Sequence, residues 1–222
     1  MSCPRHSKLI TTCIFDLDGV IVDTAKFHYL AWQRLAKEMG ITFTETDNER
    51  LKGVSRMESL DILLSLGSKS YDQKAKDEMA TRKNAWFVDY INAMKPDDVF
   101  PGVRELLQQL RQQGYKLGLA SSSKNAATVL SRVGIAELFD TIVDGNMIKN
   151  SKPDPEVFLL AASNLKAKPS ECLVFEDAEA GVEAAVRAGM KSVGIGSSQQ
   201  LGKANRVVAR TGDFKTDWIA NL

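Results

Sequence analysis

The chain alternates between two hydrophobic periods. Residues 9–15 form a short run rich in β-formers, broken only by Thr11 and Thr12 and followed by Gly19, which predicts a buried strand. From Thr24 the period lengthens. His28, Trp32, Leu35, Ala36 and Met39 recur at helical spacing and Gly40 supplies a stop. Residues 59–66, 72–80 and 82–94 read as short amphipathic helices with polar connections, and no strong strand interrupts them. After Phe100-Pro101-Gly102 the pattern changes. Helices are predicted over 103–113, 126–133, 180–188 and 213–221, with another opened by Lys152-Pro153-Asp154-Pro155. Strands are predicted over 115–120, 141–143, 172–175, 192–195 and 206–208. Strands alternating with helices predict parallel pairing through right-handed crossovers. The expected fold is therefore α/β: a doubly wound parallel sheet, built from residues 1–25 and 95–222, with a helical insertion over 26–94.

Composition narrows the class without naming a function. A chain of 222 residues with net charge +1 can bury one sizeable core, and its charge gives no general attraction to nucleic acid or to anionic membranes. No apolar run is long enough to span a bilayer, and residues 1–8 lack the apolar stretch of a secretion signal. Cys3, Cys13 and Cys172 are odd in number and not spaced as CxxC. Cys13 and Cys172 fall inside apolar runs and read as small core residues in a reducing compartment. A cytoplasmic monomer is the expectation, with no long exposed apolar stripe to drive association.

Four polar groups follow predicted strands or their crossovers: Asp16 and Asp18, Ser121, Lys152, and Glu176 with Asp177. Carboxyl ends of parallel strands share one edge, where ligands collect. Paired carboxylates there are costly to bury alone, and a hard cation such as Mg²⁺ would offset the cost. Singly, each has a structural explanation: Asp16, Asp18, Glu176 and Asp177 as turn or cap residues, Ser121 as a cap, Lys152 as a solvated loop lysine. As an ordered set they resemble motifs I to IV of the haloacid dehalogenase superfamily, beginning with Asp16-Leu17-Asp18-Gly19-Val20. That resemblance implies a Rossmann-like core with an inserted cap. It also implies Asp16 as a nucleophile forming an aspartyl-phosphate and Asp18 as general acid/base. Ser121 and Lys152 would contact the transferring phosphoryl group. Mg²⁺ would be held by Asp16, Asp177 and the backbone carbonyl of Asp18, with Glu176 in support.

The insertion narrows the reading. Leu51-Lys52-Gly53-Val54-Ser55-Arg56 combines a flexible glycine, a hydroxyl and an arginine suited to bidentate phosphate binding. Ser123-Lys124-Asn125 adds donors ahead of a helix N-terminus. A second phosphate site suggests a substrate that keeps one phosphate while another is transferred. The stretch from Phe15 to Trp32, the 51–56 loop, Arg82-Lys83-Asn84, Leu119 to Asn125 and Ser151 to Pro155 together resemble the β-phosphoglucomutase family. The resemblance implies that Leu51, Gly53, Val54, Ser55 and Arg56 form a specificity loop, and that Arg56, Ser123, Lys124 and Asn125 bind the distal phosphate. Thr24 would be a hinge, and His28 with Lys83 would couple closure to the acid/base. Trp32 would lie beside the substrate. Ser122 departs from the frequent alanine and adds a hydroxyl. Periodicity alone favours His28 and Trp32 as members of a packed stripe, and Arg56 also reads as a surface charge and Lys83 as one of several on a solvated helix. The implied reaction interconverts β-glucose 1-phosphate and glucose 6-phosphate through a bisphosphate, with a small-molecule phosphatase as the alternative.

Overall fold

The computed structural model describes residues 10–51 and 54–222. Six parallel strands form one sheet: β1 (Thr12–Phe15), β2 (Lys116–Ala120), β3 (Thr141–Val143), β4 (Cys172–Glu176), β5 (Lys191–Ile195) and β6 (Arg206–Val208). Their spatial order is β3-β2-β1-β4-β5-β6, a doubly wound sheet. The chain winds outward from β1 to β3, then returns to β4 on the other side of β1. That reversal opens the crevice beyond the strand ends in which ligands of such sheets bind. Strand β1 is buried throughout, as a central strand covered on both faces must be. Phe15 points to one face and stacks on Phe175, ring centroids 4.3 Å apart. Ile14 points to the other face and joins Val174, Phe158 and Ala184.

Between β1 and β2 lie α1 (Ala25–Glu38), α2 (Glu45–Glu49), α3 (Arg56–Leu64), α4 (Gln73–Asn92) and α5 (Val103–Gln112). Trp32 and Leu35 of α1, Phe43 from the connection to α2, Leu60 and Leu63 of α3 and Met79 of α4 form a hydrophobic cluster of their own. The chain enters and leaves this layer side by side, because Val22 pairs with Val99 and the Phe100 amide donates to the Ile21 carbonyl at 2.9 Å. Helices α6 (Ala126–Arg132), α7 (Glu156–Asn164) and α8 (Glu179–Arg187) complete the crossovers.

Two local expectations are corrected, and one short helix, α2, was not expected. Residues 72–80 and 82–94 are one helix, α4, because Thr81 does not break it: its hydroxyl donates back to the Asp77 carbonyl at 2.8 Å. Helix α2 has no hydrophobic period, with no buried residue, and is held by a capping box between Thr44 and Asp47. The expected last helix is two 3₁₀ turns, Thr211–Asp213 and Thr216–Asn221. Such short segments close more readily with i→i+3 bonds. Leu9, Lys52 and Gly53 of the expected strand and loop, and Cys3, lie outside the described residues. Cys13 and Cys172 are buried. Among the described residues, no helix is long and apolar enough to cross a membrane.

Candidate active site

The carboxyl edge of β1 carries Asp16, whose amide donates to the Phe175 carbonyl at 2.9 Å and so is tied to β4. Lys152 arrives from the β3–α7 crossover, next to the cis Lys152–Pro153 bond. Its ammonium bridges Asp16 Oδ1 at 2.5 Å and Glu176 Oε2 at 2.8 Å, over the Phe158 ring. Burial pulls the Lys152 pKa down, but Asp16 and Glu176 outweigh it and hold the group above the ordinary lysine range. Burial pushes the Glu176 carboxyl up, against the pull of Lys152. The other Glu176 oxygen accepts from the Ala178 amide at 3.1 Å. Gly181 leaves room for this side chain, since a Cβ there would collide with the Glu176 carboxylate. Likewise a Cβ on Gly19, at φ +76°, would collide with the Asp177 carboxylate. Oxygen atoms of Asp16, Glu176 and Asp177 lie within 4.8 Å of one another, forming a buried acidic cluster.

Asp18 stands outside that group of three carboxylates. Its Oδ1 is buried with no hydrogen-bond partner among the described residues, although the residue as a whole is half-buried. Burial, then the charge of Asp16, raise its pKa to about 8, so the carboxyl holds its proton at neutral pH. Further along the cleft the Lys83 ammonium lies 2.8 Å from His28 Nδ1 and over the rings of Trp32 and Phe87. Burial and then mutual or neighbouring positive charge lower the pKa of both His28 and Lys83. A neutral His28 can accept a proton bond from Lys83 on Nδ1 and present Nε2–H elsewhere.

The loop after β2 is organised by its own hydroxyls: the Ser123 amide donates to Ser121 Oγ at 3.1 Å, and the Asn125 amide to Ser123 Oγ at 3.3 Å. Asp16, Asp18, His28, Trp32, Leu51, Val54, Arg56, Lys83, Ser121, Ser122, Ser123, Lys124, Asn125 and Asp177 all line one cleft between the helical layer and the sheet edge. Trp32 belongs to the helical cluster as well, so its packing and its place on the cleft are one arrangement. Other expected residues stand beside the cleft. Lys152 and Glu176 lie behind Asp16. Ser55 caps α3 through Glu58. Thr24 is buried just before α1, its hydroxyl unpartnered. Gly53 is outside the described residues. Sequence reasoning did not assign Asn48, Ser59 or Asn84, which also line the cleft. Ser59 stands one helical turn beyond Ser55, a spacing that could have signalled a shared face. Asn84 adjoins Lys83 and accepts a hydrogen bond from Asn125 at 2.8 Å. Asn48, on the aperiodic α2, carried no signal.

Residues 13–195 match the model of the haloacid dehalogenase-like hydrolases. The chain belongs to that family. Within it, the chain is 46% identical to the β-phosphoglucomutase of Bacillus subtilis over 208 residues, covering 93% of this chain and 92% of that protein. It is 36% identical to a phosphorylated carbohydrates phosphatase of Thermotoga maritima, covering 94% and 96% respectively. The crystal structure of a β-phosphoglucomutase from Clostridium difficile superposes with a TM-score of 0.92 at 45% identity, covering 96% of each chain. In this family member the acidic cluster and the hydroxyl-rich loop sit at the ends of β1, β4 and β2, at or beside the point where strand order reverses, and the bridging lysine reaches them from the β3–α7 crossover.

Proposed function

We propose that this protein is a phosphomutase that interconverts β-D-glucose 1-phosphate and D-glucose 6-phosphate. One observation carries the reading: Asp16 lines the same cleft as Arg56, Ser123, Lys124 and Asn125, which we read as a second set of phosphate donors. A hydrolase acting on one phosphate has no need of the second set. The 46% identity to a β-phosphoglucomutase over 93% of the chain supports the same reaction.

In this mechanism the Asp16 carboxylate attacks phosphorus and holds the phosphoryl group as an aspartyl-phosphate, splitting one difficult transfer into two. Lys152 lowers the repulsion between Asp16 and the incoming anion. Asp18, protonated at neutral pH, donates its proton to the leaving oxygen and later takes the proton of the attacking sugar hydroxyl. The distal phosphate rests on Arg56, Ser123, Lys124 and Asn125, while Ser121 and Lys152 contact the transferring phosphoryl group and Ser122 adds a hydroxyl beside the donors. The bisphosphate then reorients to present its other phosphate to Asp16. Residues 26–94 act as a cap, hinged near Thr24 and 94–100, that excludes water while the phosphoryl group is on Asp16. His28 and Lys83 tie the cap to the position of Asp18. Leu51, Val54 and Trp32 line the cleft and would shape its sugar side.

The donor set suits Mg²⁺. All ligating atoms are hard oxygens, three carboxylates cluster where one lysine bridges only two of them, and Gly19 leaves space for Asp177. Asp16, Asp177 and the Asp18 backbone carbonyl would hold the ion. Glu176, both oxygens already engaged, would steady the site. Bound there, Mg²⁺ supplies positive charge to the equatorial phosphoryl oxygens.

The phosphatase reading keeps one specific support, the 36% identity to a phosphorylated carbohydrates phosphatase. ³¹P NMR separates the two, using purified protein, Mg²⁺, β-glucose 1-phosphate and a trace of glucose 1,6-bisphosphate. Glucose 6-phosphate without matching inorganic phosphate is expected. Inorganic phosphate alone would overturn the mutase.

A further inference from the structure

We infer that Glu58 and Ser151 form a latch that decides whether the phosphoryl group on Asp16 goes to sugar or to water. The Ser151 hydroxyl donates to Glu58 Oε2 at 2.5 Å, across 93 residues of chain. The same oxygen also closes the capping box of α3, accepting from the Ser55 amide and hydroxyl, but both those contacts are long, at 3.4 Å. The bond to Ser151 is therefore its tightest, and it is made to the core rather than within the helix.

The position of the bond gives it a consequence. Glu58 is two residues beyond Arg56, at the start of α3. Ser151 immediately precedes Lys152, which holds Asp16. One hydrogen bond thus joins the segment that carries the distal-phosphate arginine to the loop that carries the lysine of the transfer site. Helix α4 is fastened separately, through Asn84 to Asn125 and Asn92 to Arg132. The Glu58–Ser151 bond secures the α3 side of the cleft. Neither residue lines the cleft, so both act as positioning residues.

The two fates of the phosphoryl group share one broken bond, Asp16 oxygen to phosphorus. In transfer, a sugar oxygen forms the new bond and its proton passes to Asp18. In hydrolysis, water does the same and inorganic phosphate leaves. An open α3 side admits water, so the ratio of hydrolysis to transfer measures the open fraction.

This inference rests on the mutase reading for the ratio, and a second readout does not. Ser151→Ala removes a half-buried hydroxyl and leaves the capping box whole. It is expected to raise the ratio of inorganic phosphate to glucose 6-phosphate about five-fold, the effect of losing one hydrogen bond to a charged, partly solvated acceptor. Ser151→Thr, which keeps the hydroxyl, is expected to restore the wild-type ratio. In a Glu58→Ala background, Ser151→Ala is expected to add nothing. Release of Mg²⁺–fluoroberyllate, a mimic of the aspartyl-phosphate in a mutase or a phosphatase, is followed by ¹⁹F NMR and expected to quicken about five-fold in Ser151→Ala. Wild-type protein that yields only inorganic phosphate sinks the mutase reading, and fluoroberyllate release then decides the latch. Unchanged release in Ser151→Ala overturns the latch, as does an equal effect of Ser151→Ala with and without Glu58.

Discussion

Asp18→Asn is expected to stabilise the metal-free protein, and increasingly so as pH rises. The folded carboxyl titrates at about 8 against an ordinary 3.8, because it is buried beside Asp16 with Oδ1 unpartnered. Between those values the folded chain keeps a proton that the unfolded chain has released. Stability is therefore fully present below the unfolded value of 3.8 and is lost as pH climbs towards 8, by about 1.4 kcal/mol per pH unit. From pH 5 to 7.5 the full effect would be about 3.4 kcal/mol. Solvent reaches part of this half-buried residue, which reduces the effect to about 2 kcal/mol. Asparagine has nearly the same shape and no titration, so the variant escapes this loss. The assay is thermal unfolding of both proteins in EDTA at pH 5 and 7.5, since a bound cation would favour the carboxylate. For a chain of this size the gap in Tm, variant minus wild type, is expected to widen by roughly 5 °C at the higher pH. A gap that does not change with pH, or that narrows, would refute the assignment of a raised pKa to Asp18. The same variant is expected to lose its turnover, which separates a residue kept for chemistry from one kept for stability.

Four further outcomes follow from the site. Asp16→Asn is expected to abolish phosphoryl-enzyme formation while leaving the far-ultraviolet circular dichroism spectrum intact; retained turnover would remove Asp16 as nucleophile. Lys152→Ala strands the buried carboxylates of Asp16 and Glu176, and urea unfolding is expected to show a loss of about 3 kcal/mol or more; a loss below about 1 kcal/mol would mean the ion triad matters little. Gly19→Ala forces a Cβ onto the Asp177 carboxylate, so titration calorimetry is expected to show Mg²⁺ affinity lowered roughly ten-fold or more, and unchanged affinity would exclude Asp177 from the ion. Arg56→Ala is expected to raise KM for the bisphosphate about ten- to a hundred-fold, while acetyl phosphate, which has no distal phosphate, is hydrolysed as before; equal losses on both substrates would place Arg56 at the transfer site instead.

The sequence by itself determined the order of the strands and most of the helices, and the placement of Asp16, Ser121, Lys152 and Glu176 at or near strand ends. A buried parallel strand has to be a short apolar run, and its polar successor has to emerge at one edge of the sheet. The insertion was legible for the same reason, since the helical period continues from Thr24 without a strand. Tertiary structure alone decided what those residues do to one another. That Lys152 lies behind Asp16 and bridges it to Glu176, and that Asp18 Oδ1 finds no hydrogen-bond partner among the described residues, depend on distances between segments far apart in the chain. No local pattern encodes such distances. Asn48 and Asn84 escaped notice because a polar residue on a helix has no periodic signature until the facing surface is known. Glu58 and Ser151 were invisible as a pair for the same reason: 93 residues separate them, and only the packing of the helical layer on the sheet edge brings them within one hydrogen bond.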